Sequence, residues 1–196
     1  MITFAIVQAR MGSTRLPGKV LMSVTPDGQS VLRVIVDRLL QAQRVNAIVI
    51  AFPTGHQDDP IYDHLTDLSF PNVVMFRGSE TDVLRRYYDA ARSTNADTIV
   101  RITGDCPLVD PEIVDSMIHA FERGGYDFLS NASPESIRTV PKGFDVEVFT
   151  RDLLNHVHSV SSHQHAREHV TSGMYGCNIY SERGNLDIRI LKPHRI

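Results

Sequence analysis

Through its first 130 residues the chain alternates short apolar runs with longer amphipathic stretches, a rhythm that admits few folds. Ile2–Val7 (ITFAIV) and Ala47–Phe52 (AIVIAF, stopped by Pro53) are continuous apolar runs, as in strands buried on both faces. Val73–Phe76, Thr98–Ile102 and Tyr126–Leu129 are expected as further strands. Between them, Leu32, Ile35, Val36, Leu39 and Leu40 make one helical stripe, with Ser30 placed to cap it. A second helix is expected over Asp59–Leu68, and a third, opened by Thr81, carries Val83, Leu84, Tyr87, Tyr88 and Ala91 on one side. A fourth starts at Pro111, buries Ile113, Val114, Met117, Ile118 and Phe121, and stops at Gly124-Gly125. Such a β-α-β-α order predicts a mostly parallel sheet with helices on both faces.

After residue 130 the rhythm changes. Residues 131–143 read as a loop, Asp145–Phe149 as a strand, and 151–160 and 164–171 as helical segments. Beyond Ser172 the periodicity fades. At 196 residues the chain suits one α/β domain. The longest apolar run, Ala47–Phe52, is far short of the ~20 residues a membrane helix needs. The opening MITFAIVQAR has neither the basic leader nor the cleavage site of a signal peptide. With 20 basic and 23 acidic residues the formal charge is −3, which argues against sequence-independent nucleic-acid binding. Two cysteines, Cys106 and Cys177, make no disulfide framework or zinc finger, and a reduced, cytoplasmic protein is expected.

Two loops carry the chemistry. Residues 8–19 read QARMGSTRLPGK and follow the first buried strand, where open α/β sheets bind ligands. Arg10, Arg15 and Lys19 can neutralise a polyanion there, while Gly12, Ser13, Thr14 and Gly18 offer backbone and hydroxyl donors. The loop is not a Walker A motif: Gly12 and Gly18 are one residue too far apart, and Val20 stands where Ser or Thr should be. A solvated basic turn is the plainer alternative. The other loop is Thr103-Gly104-Asp105-Cys106-Pro107. Asp110, directly before Pro111, is the better helix cap, which leaves Asp105 to hold Mg²⁺ beside a triphosphate. No GxSxG elbow is present, so serine-hydrolase chemistry is not expected.

QARMGSTRLPGKVL, FRGSETDVLRRY, RITGDCPLVDPEIVD, GFDVEVF and REHVT resemble, in order, the cytidylyltransferases that make CMP-sugars, within the acylneuraminate cytidylyltransferase-like group and its spore-coat polysaccharide subgroup. The resemblance runs from residue 3 to about 171. It implies a nucleotide-diphospho-sugar transferase fold, a Rossmann-like three-layer sandwich with a mixed sheet. It also implies transfer of CMP from CTP to a sialic-acid-like α-keto acid, with release of pyrophosphate. By the same resemblance, Ala9, Arg10, Gly12, Ser13, Arg15 and Lys19 belong to the triphosphate loop, Asp105 to the metal, and Arg77 near the cytosine. Arg167, Glu168 and His169 belong to the sugar side of the cleft, and a homodimer is among the implied states.

Asp145 and Glu147, two apart on an expected strand, would share a face and bind sugar hydroxyls or a second metal; the alternative is one polar face of an edge strand. Relatives carry a VDTPED-like aspartate beyond this region, whereas this sequence ends LDIRILKPHRI. Asp145, Glu147 or Asp187 is then expected to replace that ligand, or activity to be weak. The rival readings are a nucleotide- or nucleotide-sugar-binding protein without catalysis, and a nucleotidyltransferase with another nucleotide or a small hydroxylated acceptor. His156, His158, His163, His165 and His169 cluster, but no cysteine or carboxylate completes a zinc motif, so surface histidines are expected.

Overall fold

The computed structural model describes residues 1–132, 140–175, 180–181, 184–185 and 188–190. Its main sheet has the strand order β3-β2-β1-β4-β6-β5-β9. Its strands are β1 (Thr3–Gln8), β2 (Ala47–Pro53), β3 (Val73–Gly78), β4 (Thr98–Thr103), β5 (Phe128–Ser130), β6 (Glu147–Thr150) and β9 (Ile188–Ile190). A separate pair joins β7 (Tyr180–Ser181) to β8 (Gly184–Asn185). The β1, β2, β3 and β4 pairings are parallel, as is β5 with β9, whereas β6 runs antiparallel to both β4 and β5. The sheet is therefore mixed and mostly parallel.

Alternating side chains of each strand feed two cores. Ala5, Val7, Ile48, Ile50, Val100 and Ile102 face α1 (Val31–Leu39), α2 (Asp59–Leu68) and α4 (Pro111–Gly124). Ile6, Val49, Ala51, Ile99 and Phe149 face α3 (Val83–Thr94), α5 (Arg151–Val160) and α7 (Ser172–Tyr175). Helix α6 (Gln164–Glu168) packs beside α3. The result is a three-layer sandwich. Helix starts follow the caps read from sequence at two places: Ser30 accepts from the Arg33 N–H, and Asp110 accepts from the N–H groups of Glu112 and Ile113.

Some boundaries differ from expectation. Helix α3 is capped by Asp82 rather than opened by Thr81, because the Asp82 carboxylate takes the Arg85 N–H. Strand β5 begins at Phe128, since Gly125 (φ 62°) turns the chain and leaves Tyr126 outside the ladder. Strand β6 begins at Glu147, so Asp145 lies before it. The expected helix over 164–171 ends at Glu168 and resumes as α7. Cys177 and Asp187 lie outside the described residues.

The central strands end in register, with Gln8 of β1 paired to Thr103 of β4. Immediately after, the Gly104 N–H donates to the Gln8 carbonyl at 2.8 Å. A Cβ on Gly104 would sit 2.5 Å from that oxygen and 3.3 Å from Ala9 Cα, so only glycine permits this approach. Gly104→Ala is expected to cost about 2 kcal/mol or more, as overpacking against rigid backbone does, read as a lower urea midpoint with unchanged m.

Candidate active site

Residues 9–19 leave the C-terminal end of β1 and close on themselves. The Met11 carbonyl accepts from the N–H groups of Ser13 (2.9 Å) and Gly18 (2.8 Å). Gly18 takes the left-handed conformation (φ 71°) that starts the short 3-10 turn Lys19–Leu21. That turn aims Lys19 at the neighbouring loop after β4, where its ammonium donates to the Asp105 carboxylate. Burial works to raise the Asp105 pKa, but hydrogen bonds from Lys19 and Thr103 and the Lys19 charge outweigh it and hold the carboxyl below its ordinary range. Arg10 and Arg15 are exposed on the same loop, and Ala9 is buried at its root. The Ala9 N–H is tied to the Ala51 carbonyl at 3.1 Å.

A cavity of about 100 Å³ opens beside Arg10 and is lined by Gln8, Ala9, Arg10, Val83, Arg86, Glu168 and His169. Glu168 and His169, expected on the sugar side, thus meet the root of the 9–19 loop. Arg167, the residue before them, is not open to a ligand. Its guanidinium is taken by Asp82 and by the carbonyls of His158 (2.9 Å) and Ser161 (3.4 Å), clamping α6 to the start of α3. Arg167, expected on the sugar side, is in this structure a clamp between α6 and α3.

A second cavity, about 210 Å³, is lined by Arg101, Thr103, Ala132, Asp145, Glu147 and Tyr175. Asp145 and Glu147 share it, but not by strand alternation, because Asp145 precedes β6. Glu147 is only 5 % exposed and is fully engaged. It pairs with Arg101 at 2.5 Å and accepts from the hydroxyls of Thr171 (3.1 Å) and Tyr175 (2.5 Å). Arg101 and Glu147 stand directly opposite in the β4–β6 register, the arrangement in which cross-strand charges meet. Burial opposes the Arg101 charge, yet Glu147 outweighs it and the Arg101 pKa is raised. Glu147 therefore serves the frame of this cavity, and Asp145 is the acidic group left to line it.

Arg77 sits on β3, where its guanidinium pairs with Asp59 at 2.6 Å and lies over the rings of Phe52 and Tyr62. These contacts hold it against α2, and the structure does not join it to the Lys19–Asp105 pair. No group of three His, Cys, Asp or Glu side chains suited to a metal occurs among the described residues. His158 stacks on Tyr88, and His169 caps the end of α6 with its ring against His165. Among the described residues no helix is long and apolar enough to cross a membrane.

Sequence reasoning missed Arg101, Thr171 and Tyr175. The signal for Arg101 was present: an arginine inside the apolar run TIVRI needs a buried partner, and DVEVF contains one. Thr171 closes the REHVT motif but was not singled out, and Tyr175 carried no signal, because only the fold brings α7 to β6.

Open α/β sheets bind ligands where strand ends meet such loops. Residues 4–179 match the family model described as Cytidylyltransferase. The chain belongs to the cytidylyltransferase family. It is 37 % identical over 174 residues to the spore coat polysaccharide biosynthesis protein SpsF of Bacillus subtilis, covering 85 % of this chain and 67 % of that protein. It is 31 % identical over 117 residues to a 3-deoxy-manno-octulosonate cytidylyltransferase of Trichlorobacter lovleyi, covering 60 % of this chain and 44 % of that enzyme. A solved cytidylyltransferase from Leptospira borgpetersenii superposes with a TM-score of 0.80 at 36 % identity, over 88 % of this chain and 70 % of that one. The fold is that of the nucleotide-diphospho-sugar transferases.

Two outcomes follow from the ion pairs. Glu147→Ala strands Arg101 in the core and is expected to cost about 3–5 kcal/mol, measured by urea unfolding. Asp82 is pushed up by burial, but the Arg167 hydrogen bond and charge pull its pKa net below the ordinary 3.8. Its contribution is present above that value and lost as pH falls below it. Asp82→Asn should flatten the stability profile of the protein below about pH 4, followed by thermal melts across pH.

Proposed function

We propose that the chain transfers CMP from CTP to a sugar acid, a sialic-acid-like or 3-deoxy-manno-octulosonate-like α-keto acid, and releases pyrophosphate. The observation that carries this reading is the meeting of Lys19 and Asp105 across the ends of β1 and β4, beside the exposed Arg10 and Arg15. The family and the nature of the relatives support it, and the described residues read as a single nucleotidyltransferase domain working in a cytoplasmic setting.

The donor set fits Mg²⁺. The ion takes one or two carboxylates and fills its remaining positions with phosphate oxygens and water. Asp105 supplies hard carboxylate oxygens at the mouth of the phosphate loop, and Asp145 lines the adjoining cavity. When bound, the ion would neutralise charge growing on the phosphoryl oxygens.

In this reading Lys19 exchanges Asp105 for triphosphate oxygens, and Asp105 turns to the metal. Arg10 and Arg15 add positive charge along the polyphosphate, and Gly12 and Ser13 supply donors from the loop. The acceptor lies toward Asp145, Glu168 and His169. A sugar hydroxyl oxygen bonds to the α-phosphorus, the bond to pyrophosphate breaks, and the hydroxyl proton is lost. Such a transfer needs in-line positioning and charge neutralisation more than covalent help.

A second reading, nucleotide binding without catalysis, has one observation in its favour. Glu147 is sealed by Arg101, Thr171 and Tyr175, so fewer acidic groups face a metal than the sequence offers. Pyrophosphate release with CTP and Mg²⁺ over a panel of sugar acids separates the two, alongside thermal shifts with CTP, UTP, ATP and GTP. Lys19→Ala and Asp105→Asn are each expected to lower turnover by ~100-fold or more. Near-normal release by both would overturn their assignment, and a CTP shift without any release would favour the second reading.

A further inference from the structure

Asp58 and Glu147 are the buried carboxylates among the described residues, and only Glu147 has a charged partner in direct contact. Asp58 is fully buried and stands at the N-cap of α2, just before Asp59-Pro60. An aspartate there normally accepts a helix N–H. Asp58 makes no such bond. Its Oδ1 instead accepts from the Met11 N–H at 2.7 Å, 47 residues away. That N–H belongs to the peptide joining Arg10 to Met11, and the carbonyl of Met11 closes the 11–18 loop. Oδ2 is buried with no hydrogen-bond partner among the described residues.

The placement is costly. Burial pushes the Asp58 pKa up, and Glu80 pushes it further. The Met11 N–H and the charges of Arg86 and Arg77 act against that. Arg86 is itself buried (1 % exposed) on α3, its Nη1 donating to the Ser79 carbonyl at 2.5 Å and its Nε without a partner. An apolar residue would fill this place more cheaply. A carboxylate that forgoes its helix and is desolvated instead acts on what it grips.

We propose that Asp58 is a positioning residue for the triphosphate loop: its carboxylate fixes the Arg10–Met11 peptide and so sets the reach of Arg10, Arg15 and Lys19. This rests on the function proposed above for that loop. The acceptor atom matters more than the charge, so the proposal separates Asp58→Asn, which keeps a side-chain oxygen in place, from Asp58→Glu, which keeps the charge but moves the oxygen by a methylene.

The test combines steady-state pyrophosphate release with amide hydrogen exchange of the free protein. Asp58→Ala and Asp58→Glu are expected to lower kcat/KM for CTP by about 100-fold, the scale of a 1 Å misplacement. Exchange should accelerate within residues 9–19 while the β1 and β4 amides keep their protection. Asp58→Asn should restore both readouts close to the parent. If Asp58→Ala does not fold, the Asn–Glu contrast decides alone. Equal behaviour of Asn and Glu, or unchanged exchange in 9–19 with a merely lower Tm, would overturn the proposal. Absence of pyrophosphate release by the parent protein would overturn the functional reading only, and the exchange arm would still decide the role of Asp58.

Discussion

Where β1 and β4 end side by side, the Gly104 N–H donates to the Gln8 carbonyl at 2.8 Å, and both reactive loops depart from that point. Two parallel strands whose ends diverged would leave Lys19 and Asp105 on separate surfaces. Here the backbones approach so closely that no side chain fits between them. The Lys19–Asp105 pair is then the consequence of a backbone contact, not its cause. Both side chains remain partly exposed, at 27 % and 42 %, which suits the partner exchange proposed for them. A surface pair of this kind contributes little to stability, so its meaning lies in what it can release.

The same economy appears at the other side of the cleft. The segment 167–171 divides its side chains among three tasks. Arg167 clamps α6 to Asp82, Glu168 and His169 line the cavity beside Arg10, and Thr171 donates to the buried Glu147. One short stretch thus ties the start of α3, the root of the phosphate loop and the β4–β6 ladder together. In the buried Arg101–Glu147 pair the carboxylate is held by Arg101, Thr171 and Tyr175, while the Arg101 Nε has no hydrogen-bond partner among the described residues. The two cavities are consequently framed by groups that cannot easily move, while Arg10, Arg15 and Asp105 stay accessible.

Much of this was legible from residue order. Continuous apolar runs gave β1 and β2, helical stripes gave α1, α3 and α4, and Ser30 and Asp110 capped as read. Basic and glycine residues after β1 singled out the loop whose Lys19 meets Asp105. What failed did so for identifiable reasons. Asp145 and Glu147 were read as strand neighbours because alternation alone does not say where a ladder begins. Arg167 was placed on the sugar side by the resemblance of its motif, and its pairing with Asp82, an 85-residue contact, had no local signal. Asp58 was not singled out: it stands at a helix start, and only the fold turns it to Met11.

By itself, the sequence determined the layers, the strand-helix order and the two loops that carry charge, because periodicity and turn chemistry act over a few residues. The tertiary structure decided which of those charges are available. Partnering depends on strand order and register, which bring Arg101 opposite Glu147, Asp82 to Arg167 and Asp58 to Met11. A carboxylate in a list of motifs is a candidate ligand. In the folded chain its burial and its nearest donors separate Asp105, partly exposed beside Lys19, from Glu147, closed into the frame.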